Sequence, residues 1–365
     1  TRSSDLTTSL GLLGANASVN YVNKNIFRGA EKLSISLGGG FETQTLVFND
    51  NDENTKFPFN TIEFGPSIKL ELIGLAPFPP ATLSKRHRAR TLISTGYNFE
   101  IRDIFDRQVF QLNYLWKFFV QKTQIFQLGL PGASVIKLVN IKKSSSFQNQ
   151  LDLLNDVFLN NAYSNQFIWQ DAKATFEYSN ANRKYRPGRK SFLGATISYN
   201  ASFDAAGNLL YGLRNTQDTL NGQYQFLDLT YAQFVRLDNR YVLAKKINSS
   251  SSIHFKAEAG AGIPYGNTNT SLPYDYSFYA GGSNDNRGWR ARSLGPGAYK
   301  YHLDTNRTLT QIGDVRIGTS IEYRFSLGSI LKGAFFTDIG NIWTVNEDSR
   351  EAQFKIQNVF KEMAI

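Results

Sequence analysis

The residues best equipped for chemistry cluster in one stretch, YAGGSNDNRGWRARSLGPG, residues 279–297. Arg287, Arg290 and Arg292 carry positive charge, while Gly281, Gly282, Gly288, Gly295 and Gly297 allow tight turns and positive φ. Arg287 beside Gly288 and Trp289 suits the tip of an inward-folding plug, with the guanidinium seeking a carboxylate and the indole covering backbone. Glu322 and Asp338, on later segments, are the candidate carboxylates. The chemistry implied is charge pairing, in which a guanidinium fork grips a carboxylate, not the making of a covalent bond.

Other reactive sets are missing or scattered. GGSNDNRGW is no phosphate loop, since no Gly-Lys-Ser/Thr follows and no strand-to-helix context surrounds it. His87, His254 and His302 stand far apart near turns and strand faces, so neither a metal site nor a catalytic base is expected. Asp152 and Asp156 fall in a loop with no nucleophile nearby, and solvation accounts for them. With no cysteine there is no thiolate or disulfide framework. No Ser-His-Asp set emerges on the strands, so no enzyme, cofactor or metal is expected.

What must position Arg287 and its partners is a set of strands. The chain of 365 residues is 41% hydrophobic, 19% charged and 14% aromatic, with 18 Tyr and 28 Phe against one Met. That profile favours strands over helices. No apolar run approaches the about 18 residues of a membrane-spanning helix. Two-residue alternation is strong instead: Val315, Ile317, Thr319, Ile321, Tyr323 and Phe325 oppose Asp314, Arg316, Gly318, Ser320, Glu322 and Arg324. Asp338 likewise shares a face with Lys332, Ala334, Phe336 and Gly340. A transmembrane barrel turns such an oily face to lipid and its charges to the lumen, which keeps mean hydropathy below zero.

This reading gives strands near 5–12, 16–24, 31–47, 61–74, 90–102, 108–121, 132–141, 167–180, 189–203, 225–236, 240–264, 311–326 and 331–345. NSSSS at 248–252 reads as an insertion or bulge within the eleventh. Short turns alternate with longer loops, as periplasmic turns and extracellular loops do. The longer ones are 48–60, the stretch 148–161 with a short helix, and 265–310, whose length calls for a functional explanation. The turn at 74–90 is unusually basic, with Lys85, Arg86, His87, Arg88 and Arg90; it reads as a solvated membrane edge, with an anionic headgroup or a partner protein as the alternative. The net charge of +10 does not choose among nucleic acid, anionic lipid and a charged lumen. Tyr and Phe near strand ends fit interface girdles better than nucleic-acid platforms, so nucleic acid is not an expected partner. No repeat of about 20–50 residues and no compositional break marks a second domain.

Two motifs together resemble the BamA/TamA superfamily of outer-membrane assembly barrels, of surface-antigen type. An Arg-Gly-aromatic loop tip preceded by paired glycines is matched by Gly281, Gly282, Arg287, Gly288 and Trp289. A Phe-x-Asp-x-Gly strand is matched by Phe336, Asp338 and Gly340 in FFTDIGNIW. The early NYVNKNIFRGAEKLSISLGGGFETQ and the IEYRF strand fit in order, and NIFRGAEKL resembles the TamA-like lipoprotein branch of Bacteroidetes.

The resemblance implies an all-β fold, a transmembrane antiparallel barrel over 1–365. About 13 of an expected 16 strands are present, with 265–310 as a constricting loop between strands 11 and 12 whose arginine packs on the strand aspartate. The closing C-terminal strands and the preceding periplasmic domains are expected to lie outside this segment. It further implies a bacterial outer-membrane location and an ATP-free role in inserting or translocating proteins through a lateral seam. The partners it implies are unfolded outer-membrane or surface protein clients, the lipid bilayer with lipopolysaccharide, and periplasmic or inner-membrane-anchored accessory subunits. The alternatives are a dedicated secretion pore of the same superfamily and, from another class, a passive porin.

Overall fold

A computed structural model describes residues 14–42, 61–78, 89–102, 105–154, 160, 163–181, 195–213, 222–268, 270–299, 311–328, 330–347 and 352–364. The expected strand at 5–12, the loop at 48–60, Asp156, His302 and the Lys85–Arg88 part of the basic turn lie outside these residues. The regular secondary structure of the described residues is nearly all antiparallel strand, and the chain divides into two units.

The first unit comprises Thr1–Lys117, Gly129–Ala172 and Ala206–Gln233. Within it β1 (Gly14–Asn23), β2 (Lys32–Glu42), β3 (Thr61–Ile73), β4 (Arg90–Arg102) and the first part of β5 (Phe105–Gln121) pair in sequence order. β7 (Val135–Lys143) then joins β5, and the start of β8 (Gln166–Ser179) joins β7. Arg90, the last cation of the basic turn, opens β4 and pairs with Glu71 at 2.6 Å. The helix expected within 148–161 runs over Ser145–Leu154, with Phe147 and Leu151 buried and Asp152 accepting from Gln148 at 2.8 Å.

The expected strand at 225–236 is two things. Gln225–Phe226 (β10) and Leu229–Thr230 (β11) form a small hairpin, and a long strand starts only at Phe234. The hairpin turns through Leu227 and Asp228 at φ 53 and 59, beside an aromatic cluster of Phe167, Trp169 and Phe226.

The second unit comprises Phe118–Leu128, Lys173–Ala205 and Phe234–Ile365. β6 (Gln124–Gly129), which alternation did not reveal, pairs with the end of β8. β9 (Ala195–Ala206) follows, then β12 (Phe234–Lys246), β13 (Ser251–Pro264), β14 (Val315–Leu327) and β15 (Leu331–Trp343). The expected single strand at 240–264 is therefore a hairpin, and NSSSS is its turn: the Ile247 N–H donates to the Ser251 carbonyl at 3.0 Å.

Across β12–β15 the register sorts side chains into an oily and a wet face. Leu237, Ile253, Ile321 and Phe335 all stand substantially exposed, Ile321 at 54% and Phe335 at 71%. A soluble sandwich would bury such a face, whereas a membrane strand presents it to lipid. The wet face supplies the site.

Candidate functional site

Pairing aligns the wet face of β12–β15 into cross-strand rows. One holds Lys246, Ser252, Arg324 and Ala334; the next Ala244, His254, Glu322 and Phe336; the next Val242, Lys256, Ser320 and Asp338; the next Arg240, Glu258, Gly318 and Gly340. The described parts of the connection between β13 and β14, residues 265–268, 270–299 and 311–314, fold back onto this face. An apolar knot roots it there, because Phe278, Ala280, Leu294 and Ile342 are buried together with Trp289 packed against them.

From that root the tip places Arg287 over three strand residues. Its Nε and Nη2 donate to the two oxygens of Asp338 at 2.7 and 2.8 Å, its Nη1 donates to Glu322 at 2.8 Å, and Nη2 also reaches Ser320 Oγ at 3.3 Å. The Arg287 backbone N–H adds a bond to Asp338 at 3.1 Å, and the Ser320 hydroxyl donates to the other Asp338 oxygen at 2.6 Å. Below the guanidinium the Phe336 ring centroid lies 3.4 Å from Cζ, a cation–π contact. A fork on a carboxylate fixes direction as well as distance. Hydrogen bonding to Asp338 raises the Arg287 pKa and burial opposes it, with Glu322 adding to the rise.

Two further clamps hold the loop. Asp285 accepts from the Gly281 N–H at 2.9 Å and from Arg316 at 2.8 Å, with Lys256 at 3.8 Å, while Arg316 and Lys256 also reach Glu258 at 2.7 and 3.0 Å. Asn341, 1% exposed on β15, donates to the Gly297 carbonyl at 2.8 Å and to the Glu362 carbonyl at 2.5 Å. Arg292 stacks on Tyr279 with its Cζ 4.6 Å from the ring centroid and bonds the Tyr274 hydroxyl. Arg290 is exposed.

Of the residues singled out in the sequence, Arg287, Asp338, Glu322 and Phe336 meet at one point. Gly281 and Gly282 take φ of 97 and 107, and a Cβ on Gly281 would collide with the Arg290 carbonyl. Gly340 lies where a Cβ would stand 2.9 Å from the Ile317 carbonyl oxygen and 3.0 Å from Asn286 Oδ1. Gly288 departs from expectation: its φ is not positive and open space surrounds its would-be Cβ, so the tip does not need glycine there for steric reasons. Sequence reasoning missed Asp285, Asn341 and Ser320. Ser320 was readable from strand position, whereas alternation sets Asn341 on the oily face with Phe335, and Asp285 sits in an irregular turn with no periodic signal. His254 lies on the wet face with Ser252 at 3.0 Å, and among the described residues no group of His, Asp and Glu has the makings of a metal site.

No curated protein matches the chain by sequence. Among solved structures the chain is similar to BamA from Haemophilus ducreyi lacking POTRA domains 1–3. The identity is 13% and the TM-score 0.48, over 91% of this chain and 58% of that one. The chain thus spans less than two thirds of that structure's length. A family model described as the Omp85 superfamily domain matches residues 5–364. Nearly the whole chain, with both loop and strand motifs inside the match, therefore belongs to the Omp85 superfamily of outer-membrane β-barrel proteins.

Proposed function

We propose that this chain is the barrel portion of a factor that inserts or translocates other proteins at the outer membrane. The observation that carries the reading is the lock on the polar face, where Arg287 is held at once by Asp338, Glu322, Ser320 and the Phe336 ring. In this reading the site does mechanical work and catalyses no reaction. The loop, fixed at its tip, makes β12–β15 a firm wall against which strands elsewhere part at a lateral seam. Unpaired strand edges at such a seam template a client strand through main-chain hydrogen bonds, and no nucleotide is consumed. Clients are unfolded outer-membrane or surface proteins, and the bilayer with its lipopolysaccharide and periplasmic accessory subunits act beside the barrel.

The test is to deplete the full-length protein in its native bacterium and quantify folded outer-membrane and surface proteins by heat-modifiable gel mobility and proteomics. A fall in folded clients, restored by the wild-type gene and poorly by Arg287→Ala, supports the proposal. Unchanged clients with loss of one exported protein point to a dedicated secretion pore, and unchanged clients with lost solute uptake point to a porin; either overturns it.

A further inference from the structure

The charges on the wet face of β12–β15 are unevenly neutralised. Around the loop tip almost every charge has its opposite: Arg287 with Asp338 and Glu322, Arg316 with Glu258 and Asp285, Lys256 and Arg240 with Glu258. Toward the short connections from β12 to β13 and from β14 to β15 this balance fails. Lys246 and Lys332 have no counter-ion among the described residues, and Arg324 has only Glu322, which it shares with Arg287. These three cations, with His254 and Ser252, line a solvent-open pocket of about 420 Å³. A second cavity, of about 260 Å³, shares His254, Glu322 and Arg324 with it and continues up to Arg287.

Register fixes the spacing of the unopposed charge. Lys246 and Arg324 occupy one row, and Lys332, paired with Ser326, occupies the next row toward the turn. Rows on one face of a sheet lie two residues apart, or about 6.8 Å. An extended polypeptide repeats its own side chains on one face at that same interval. Two acidic residues at positions i and i+2 of an extended segment therefore present carboxylates in step with the two cationic rows. A lone phosphate would meet only one row at a time.

We infer that this pocket receives an acidic, extended segment of a polypeptide, with carboxylates two residues apart held by Lys246, Arg324 and Lys332. The inference deepens the assembly reading and rests on it for the supply of polypeptides at the short-turn end, which faces the periplasm if the long loop faces outward. Lys256 and Arg240 line only the second cavity and are already paired with Glu258, so they do not bind the segment.

The experiment uses the full-length protein in lipid nanodiscs and two fluorescent nonapeptides, one with Glu at two alternate positions and one with Gln in their place. The Glu peptide is expected to bind roughly tenfold more tightly, as two partly exposed ion pairs allow, with the preference fading as salt rises. Lys246→Gln with Lys332→Gln should abolish the preference while heat-modifiable mobility stays that of the folded protein; each single variant should abolish part of it. Equal affinity for the two peptides overturns the inference, as does a preference that survives in the double variant. Displacement of the Glu peptide by inorganic phosphate at an equal concentration of charge also overturns it, in favour of a small-oxyanion site. Because binding is read on purified protein, its failure leaves the depletion result untouched, and failure of depletion to change clients leaves the binding result readable.

Discussion

Removing the carboxylate of Asp338 is the sharpest perturbation of the lock. Asp338→Ala deletes both ends of the Arg287 fork, at 2.7 and 2.8 Å, the bond from the Arg287 backbone N–H and the partner of Ser320. Leaving one member of a fully buried pair alone costs ~3–5 kcal/mol. Here the Asp338 side chain is 7% exposed but that of Arg287 is 23% exposed and keeps Glu322, so the cost is discounted to about 2–3 kcal/mol. Expressed as loop opening, that is on the order of 30- to 150-fold in the opening constant. Hydrogen exchange on the full-length protein in nanodiscs reads it directly, through the amides of Gly282 and Trp289 that bond within the loop. Arg287→Ala should expose the same amides by a similar factor, and the double variant should add less than about 0.5 kcal/mol to the larger single effect. Strictly additive losses, or unchanged exchange in either single variant, would refute the claim that the two act as one lock.

Asp285→Ala should loosen the neighbouring turn by about 1–2 kcal/mol, since charge-assisted bonds to Arg316 and the Gly281 N–H are lost; limited proteolysis near 283–290 reports it. Gly340→Ala should lower the temperature at which heat-modifiable mobility is lost, by about 1–3 kcal/mol of overpacking, because its Cβ meets the Ile317 carbonyl oxygen and Asn286. Phe336→Leu should weaken loop protection by only about 1 kcal/mol, clearly less than Asp338→Ala, because it removes the cation–π contact and spares the hydrogen bonds. Asn341→Ala, which strips two backbone carbonyls of their donor, should cost about 1–3 kcal/mol in the same mobility assay.

Much of the fold and of the lock is legible in the sequence, for identifiable reasons. β4 begins and ends where alternation placed it, at Arg90 and Arg102, and the faces of β14 and β15 follow from a period that sterics make strict. The same period put Glu322 and Asp338 on the face where Arg287 arrives. Legibility failed at turns without glycine or proline. Asn248–Ser252 carries the chain through a hairpin with small polar residues that read equally well as a bulge. Lys122–Thr123 turns β5 into β6 with no punctuation at all. Leu227–Asp228 occupies the left-handed region that usually calls for Asn-Gly, so no residue type announced it. Asp285 was hidden for another reason: its partners Arg316 and Lys256 come from strands, but its own position is fixed only by the loop's tertiary fold.

The rows of the wet face also police how the strands are threaded during folding. A slip of β14 by a single residue against β13 would exchange its faces, turning Arg316, Glu322 and Arg324 toward lipid and Ile317, Ile321 and Tyr323 toward water. Each arginine so displaced costs ~2–4 kcal/mol at the bilayer midplane and less near its edges. Mis-threaded intermediates are thus penalised before the loop has folded at all. The charges that later grip the loop tip act first as alignment marks, so substitutions chosen to neutralise them should yield mispaired barrels as well as loosened loops.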